Sequence, residues 1–303
     1  MGDALLTAPV SRRLPEAGAV LELLKPLTWF PPCFAFGCGI VSAGAQPADR
    51  WPPALLGLLL AGPLVCGMSQ AVNDWFDRHV DAVNEPGRPI PSGRVPGRWG
   101  LWIASAWTVL SLAVAAALGA WGFAAGVAGI ALAWAYSAPP LRLKRNGWWG
   151  NLACAACYEG LPWVTAAAIM AGGAPSAATL AIAGLYSLGA HGIMTLNDFK
   201  SIEGDRRFGI HTLPVQLGPA RAARAACLFM AAPQVAVAGL LLFWGAAWQG
   251  VVVAVLLAAQ VVLMRRMLGD PRGLAPWYNG TGVTLYVAGM MAAALALRAG
   301  AGA

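Results

Sequence analysis

Apolar residues gather in nine runs long enough to cross a bilayer, at about residues 27–45, 53–73, 99–118, 121–137, 150–171, 176–197, 222–243, 246–264 and 279–298. A spanning helix needs roughly 20 consecutive apolar residues at about 1.5 Å of rise each. The runs do not alternate with the period of two that a lipid-facing barrel strand requires. The pattern therefore predicts an all-α membrane protein of about nine transmembrane helices. Breaks such as GGAPSA near residue 174 and NEPGRPIPSGRVPG from Asn84 punctuate the runs. There is no sign of a separate soluble domain or linker, so residues 1–303 read as one intramembrane domain with a flexible N-terminus over about 1–20.

Composition sharpens the picture. The chain is 58% hydrophobic with a mean hydropathy of +0.62, and only 11% of its residues are charged; soluble domains carry about 25%. The net charge of +7 is a topological signal. Of 20 lysines and arginines, 18 precede the first run or lie around the loops that follow even-numbered runs, and only Arg50 and Arg298 fall on the other side. By the positive-inside rule the N-terminus and those loops face the cytoplasm. Nothing further supports a nucleic-acid partner. The opening stretch MGDALLTAPVSRRLPEAG lacks an apolar core with a small-residue cleavage site, so no signal peptide is expected to be removed. The six cysteines lie in or beside apolar runs. Cys154 and Cys157 form a CxxC without a second pair or a histidine, which reads as small buried side chains rather than a redox or zinc site.

Of 13 acidic residues, seven fall in two clusters: Asp74, Asp77, Asp81 and Glu85, then Asp198, Glu203 and Asp205. The dipeptide Asn73-Asp74 recurs as Asn197-Asp198, each copy closing an even-numbered run, which predicts two four-helix units of one topology plus a ninth helix. Both clusters fall at helix C-terminal ends, where the macrodipole disfavours carboxylates. Gathered like charges also repel unless a cation sits between them. A solvated helix end explains neither feature; bound metal explains both. Asn73, Asp77 and Asp81 are spaced i, i+4, i+8 on one helical face. Asp198 and Asp205 stand seven apart with Ser201 between. Oxygen donors without a cysteine or histidine cage point to Mg²⁺. Arg78, Arg88, Arg94, Lys144, Arg145, Lys200 and Arg206 interleave with the acids. Metal with Arg or Lys beside it suits a diphosphate. With apolar, aromatic helices nearby, the expected ligand is an isoprenyl diphosphate that ionises at its allylic C–O bond toward an acceptor.

The stretch NDWFDRHVDAVNEPGRPIPSG resembles the first aspartate motif, NxxxDxxxD, of the UbiA-type intramembrane prenyltransferases. YSAPPLRLKRNGWWGN, from Tyr136, is similar to their tyrosine and basic loop, and NDFKSIEGDRRFGIHTLPVQLG to their second motif. KSIEGDR and the following LPV are similar to the chlorophyll and bacteriochlorophyll synthase branch. The resemblance covers roughly residues 20–298 and implies a UbiA-like bundle. It implies that Asn73, Asp77 and Asp81 carry one Mg²⁺, and Asp198 and Asp205, with Asn197 beside them, the other. It also implies that Arg88, Lys144 and Arg145 hold the diphosphate, with Lys200 among the binding cations. One position departs: many members have an aspartate where this chain has Ser201, which leaves the second ligand set open. The implied donor is geranylgeranyl or phytyl diphosphate and the implied acceptor a bacteriochlorophyllide or chlorophyllide, esterified on its propionate. A carboxylate is already ionised at neutral pH and needs no strong base. The resemblance further implies a bacterial inner or intracytoplasmic photosynthetic membrane, an active site facing the cytoplasm, and pigment-pathway proteins as candidate partners.

Other residues carry two readings each. Glu159, the one acid well inside a run, either lines the acceptor or tail cavity or is an internal hydrogen-bond partner. His191 either meets the acceptor, at a chlorin magnesium or a carboxylate, or is a satisfied interhelical histidine. His79 is out of phase with Asp77 and Asp81 and reads as a surface residue. Tyr136 ends the fourth run, where its ring or hydroxyl suits an allylic cation. The tryptophans at run ends form an interfacial belt. Three rival functions remain. Transfer to an aromatic or quinone precursor is disfavoured by KSIEGDR. A cation transporter would want its acids at the midplane, and a pigment-binding protein without catalysis would have no use for two metal clusters.

Overall fold

In a computed structural model of the chain, residues 13–44 and 47–302 are described. The expectations for a flexible N-terminus and an unprocessed start concern residues 1–12 among others, and those twelve lie outside the described residues. From Ala17 the chain is already helical. Helix α1 (Ala17–Leu24) is followed by a 3₁₀ turn (Pro26–Trp29) and α2 (Phe30–Ser42). The long helices are α3 (Trp51–Asn84), α4 (Trp99–Ala117), α5 (Gly119–Ser137), α6 (Gly147–Ala171) and α7 (Ala177–Asn197). Two short helices, α8 (Ile202–Arg207) and α9 (Leu213–Leu217), precede α10 (Pro219–Phe243), α11 (Ala247–Gly269) and α12 (Pro271–Arg298). Among the described residues no strand forms beyond a single Asn146–His211 bridge.

Among the described residues eight helices are long and apolar enough to span a bilayer. The first of the nine predicted runs forms α2, whose 13 residues rise only about 20 Å, because Pro26 begins a 3₁₀ turn that takes up the preceding residues. The long helices start and stop on local chemistry. Asn146 and Ser176 accept the Trp148 and Thr179 backbone N–H groups to cap α6 and α7, and Gly172 closes α6 at φ +70°. Pro63 lies inside α3, in a π-helical stretch over Leu60–Cys66, the local widening that accommodates a lost backbone donor.

The chain divides into two compact units. Unit 1 comprises the described residues up to Cys33 with Leu55–Arg142; unit 2 comprises Phe34–Ala54 with Leu143–Ala303. The division between α5 and α6 falls where the repeated Asn-Asp puts it, but α2 from Phe34 onward goes with the second unit: α4, α5 and most of α3 build unit 1, while most of α2, with α6, α7, α10, α11 and α12, builds unit 2. In unit 1, α1 buries Leu23 and Leu24 against Met68 and Val72 of α3, and Arg94 grips Glu22 at 2.6 Å.

Unit 2 is knit by aromatic and amide contacts. Tyr186 stacks on Trp163 at 5.9 Å and meets the edge of Tyr286 at 5.2 Å. Gln234 and Gln260 exchange hydrogen bonds of 3.1 and 2.9 Å between α10 and α11, a mutual satisfaction that apolar surroundings demand. Gly192 lets α7 approach α10, since a Cβ there would lie 2.3 Å from the Ala226 carbonyl oxygen. Gly192→Ala is expected to cost about 1–3 kcal/mol through overpacking against backbone that cannot yield, read as a lowered unfolding midpoint in detergent.

Candidate functional site

The first cluster sits on a helix rather than in a loop. Helix α3 continues through Asn84, so Asp74, Asp77 and Asp81, at i, i+3 and i+7, project from its last three turns. Each meets a cation. Asp74, only 1% exposed, accepts from Lys25 at 2.7 Å and lies 3.4 Å from Arg88, both through Oδ1; its Oδ2 is buried without a partner. Asp77 accepts from Arg142 at 3.1 Å and Asp81 from Arg88 at 2.9 Å. Arg88 also clamps Glu85 at 2.7 and 2.9 Å. Desolvation works against its charge, but the Glu85 hydrogen bonds and the charges of Asp74, Asp81 and Glu85 outweigh it and raise the guanidinium above its ordinary range. The Asn73 amide donates to Ser137 at 3.3 Å, which brings the end of α5, and Tyr136 next to it, to this cluster. Arg78 lies over Trp75 at 4.1 Å and donates to its carbonyl, and His79 is exposed.

Lys25 and Arg142 escaped sequence reasoning, since both stand far from the motif. A backbone signal marks them: among the described residues they are the two non-glycine positions with positive φ, at 47° and 40°. Such conformations strain an L-residue and persist where surroundings enforce them. Here both deliver a cation to an aspartate of the cluster.

The second cluster lies within unit 2. Helix α7 ends at Asn197, a 3₁₀ turn carries Asp198 to Lys200, and α8 presents Asp205. Asp198 Oδ2 accepts from the Asn151 amide of α6 at 3.3 Å. Asp205 Oδ2 accepts from Ser201 at 2.7 Å and Thr212 at 3.1 Å. Ser201, where the resemblance leads one to expect a further acid, thus donates to Asp205. Asn197 accepts from Asn279 of α12 at 2.7 Å. The end of the basic loop and the second motif meet physically. Gly147 N–H donates to the His211 carbonyl at 2.8 Å, and a Cβ on Gly147 would lie 2.5 Å from Leu213 N. Lys144 is buried, while Arg145 and Lys200 are exposed.

The His191 ring packs between aromatic neighbours. It stacks on Phe229 at 4.4 Å, its Nε2 lies 3.3 Å from the Trp148 carbonyl, and its Nδ1 is buried without a partner. Glu159 lies in a π-helical stretch of α6 (Ala156–Gly160), 5% exposed, with Oε2 unpartnered.

The donor chemistry suits a hard cation. Both clusters offer only carboxylate, amide and hydroxyl oxygens, and the orphaned Asp74 Oδ2 lacks the partner a buried carboxylate oxygen requires. Among the described residues no three of His, Cys, Asp or Glu gather closely enough to hold an ion by themselves. An ion here would be held by one or two carboxylates and completed by water and substrate oxygens, as Mg²⁺ usually is.

The comparisons make the chain a prenyltransferase. The model of the UbiA prenyltransferase family matches residues 30–279, and the chain belongs to that family. It is 61% identical over 287 residues to the bacteriochlorophyll synthase 33 kDa chain of Cereibacter sphaeroides, covering 95% of each. It is 53% identical over 294 residues to the protein of that name from Rhodobacter capsulatus, covering 96% of this chain and 97% of the relative. The structure of a UbiA homolog from Archaeoglobus fulgidus bound to GPP and Mg²⁺ superposes with a TM-score of 0.64 at 22% identity, covering 93% of this chain and 99% of that one. The chain is an integral membrane protein with eight apolar helices of spanning length among its described residues.

Proposed function

We propose that the protein esterifies the propionate carboxylate of a bacteriochlorophyllide with a geranylgeranyl or phytyl group from its diphosphate. The observation that carries this reading is the set of three aspartates on α3, each met by a Lys or Arg, in a chain so similar to two bacteriochlorophyll synthases. A chlorophyllide is the alternative acceptor.

On this reading Asp77 and Asp81 would hold one Mg²⁺ with Asn73 beside them, and Asp198 and Asp205 would hold a second with Asn197 beside them. When bound, the metal neutralises diphosphate oxygens and so stabilises the departing anion. Arg88, together with Lys25 and Arg142, would exchange an aspartate oxygen for a phosphate oxygen; their present ion pairs with Asp81, Asp74 and Asp77 support that role. Lys144, Arg145 and Lys200 supply further cations. As the allylic C–O bond breaks, Tyr136 is the residue this reading assigns to stabilise the developing cation. The acceptor carboxylate then forms the new C–O bond and diphosphate leaves; no residue must remove a proton. Glu159 and His191, both buried in unit 2, are the residues this reading assigns to the acceptor. The reading puts the reaction at the cytoplasmic face of a bacterial inner or intracytoplasmic photosynthetic membrane; the cation distribution supports the cytoplasmic side.

The test is pigment esterification by the purified protein with bacteriochlorophyllide a, geranylgeranyl diphosphate and Mg²⁺, followed by chromatography and mass spectrometry. A metal-dependent geranylgeranyl ester is expected. Product from chlorophyllide alone would move the acceptor, and product from neither would overturn the reading.

A further inference from the structure

Asn151 lies outside both aspartate motifs, in the apolar stretch NLACAAC of α6, and is buried to 6% exposure. Its Nδ2 makes two hydrogen bonds, to Thr195 Oγ1 at 3.2 Å and to Asp198 Oδ2 at 3.3 Å. The roles are fixed by chemistry. An ionised carboxylate only accepts, so the amide must turn its NH₂ toward Asp198. Thr195 gives its own proton to the His191 carbonyl at 2.9 Å and so must accept from the other amide hydrogen. Both hydrogens of one planar group are therefore committed, one to the backbone-anchored hydroxyl of α7 and one to the carboxylate a helical turn beyond it. Helix α6 is itself held at its start by the exchange between residues 145–147 and His211, so the amide is a fixed point.

We infer that Asn151 is a positioning residue for the second metal: it holds Asp198 by one oxygen and turns the other, Oδ1, toward the cation. The inference rests on the reading of Asp198 as a Mg²⁺ ligand. Oδ1 accepts no hydrogen bond among the described residues. An interhelical amide that served packing alone would be satisfied by Thr195 and the helix backbone; this one spends a hydrogen on the carboxylate. Its neutrality matters. Lys or Arg at this place would aim the carboxylate but compete with the metal for its charge, whereas an amide orients it and leaves the charge available. Asn151 thereby contributes to the second site in a chain where Ser201 donates to Asp205 in place of a further acid.

The test uses the full chain in detergent, loaded with an unreactive geranylgeranyl thiolodiphosphate and titrated with Mn²⁺ by electron paramagnetic resonance, alongside unfolding midpoints. Asn151→Ala is expected to weaken one class of Mn²⁺ sites by about 10–100-fold, the usual effect of losing an outer partner of a ligand, and to leave the other class unchanged. Asp198→Asn is expected to remove that same class. If Asp198→Asn removes it while Asn151→Ala leaves both classes at wild-type affinity, the positioning role is overturned. If Asp198→Asn itself changes neither class, the reading of Asp198 as a ligand fails instead, and the inference with it. Should Asn151→Ala not accumulate in the membrane, Thr195→Val loosens the same amide while leaving it in place. A selective several-fold loss would then support positioning, and unchanged affinity would overturn it.

Discussion

Asp77→Asn is expected to lower prenyl transfer by more than about 100-fold while the protein remains folded and inserted. The estimate follows from comparison: losing an outer partner of a metal ligand costs about 10–100-fold, and losing the ligand itself costs more. Asn keeps the shape of the side chain and one oxygen, so packing around the end of α3 is preserved. Arg142, which pairs with Asp77 at 3.1 Å, loses a charge partner but stays part-exposed, so water can take its place. The check is the rate of ester formation at saturating Mg²⁺, beside an unfolding midpoint. Near-normal turnover would show that Asp77 does not carry the metal.

Arg88→Ala is expected to act on stability and substrate binding together. Its guanidinium reaches Asp74, Asp81 and Glu85, and the first two are buried. Removing it leaves Asp74 with Lys25 and deprives Asp81 of its 2.9 Å partner. Stranding a buried carboxylate costs about 3–5 kcal/mol. Because Arg88 is 24% exposed and water reaches the space it leaves, the lower end applies, about 3 kcal/mol. The double variant Asp81→Asn with Arg88→Ala should recover much of that loss, since the stranded charge is gone. It should not recover binding of the prenyl diphosphate, seen as a raised KM. An unfolding midpoint unmoved by Arg88→Ala would mean the carboxylates are solvated, and an unchanged KM would remove Arg88 from diphosphate binding.

The extent of each helix was legible because it depends on residues adjacent in sequence. Apolar runs of spanning length became helices almost where they were drawn, and cap residues such as Asn146 and Ser176 act within three positions of themselves. The first aspartate cluster was equally legible, because residues three or four apart share a helical face whatever surrounds them. Its environment was not. Sequence reasoning expected cations among the aspartates but could not say which distant side chains face them; Lys25, Arg88 and Arg142 do, and two of these lie 49 and 65 residues from their partners. The departure at Ser201 was visible as a missing acid, yet its consequence, a 2.7 Å hydrogen bond to Asp205, required the turn between α7 and α8.

What the sequence by itself determined was therefore local and periodic: an all-helical, lipid-spanning chain, its basic side, and two acid motifs at helix ends. Only the tertiary structure decided which cation faces which aspartate, that Asn151 holds Asp198, and that Gly147 brings the basic loop onto His211 and Leu213. Helical periodicity aligns neighbours along one axis. Pairing across axes depends on how side chains far apart in the chain fill the same space, and no run of residues carries that information alone.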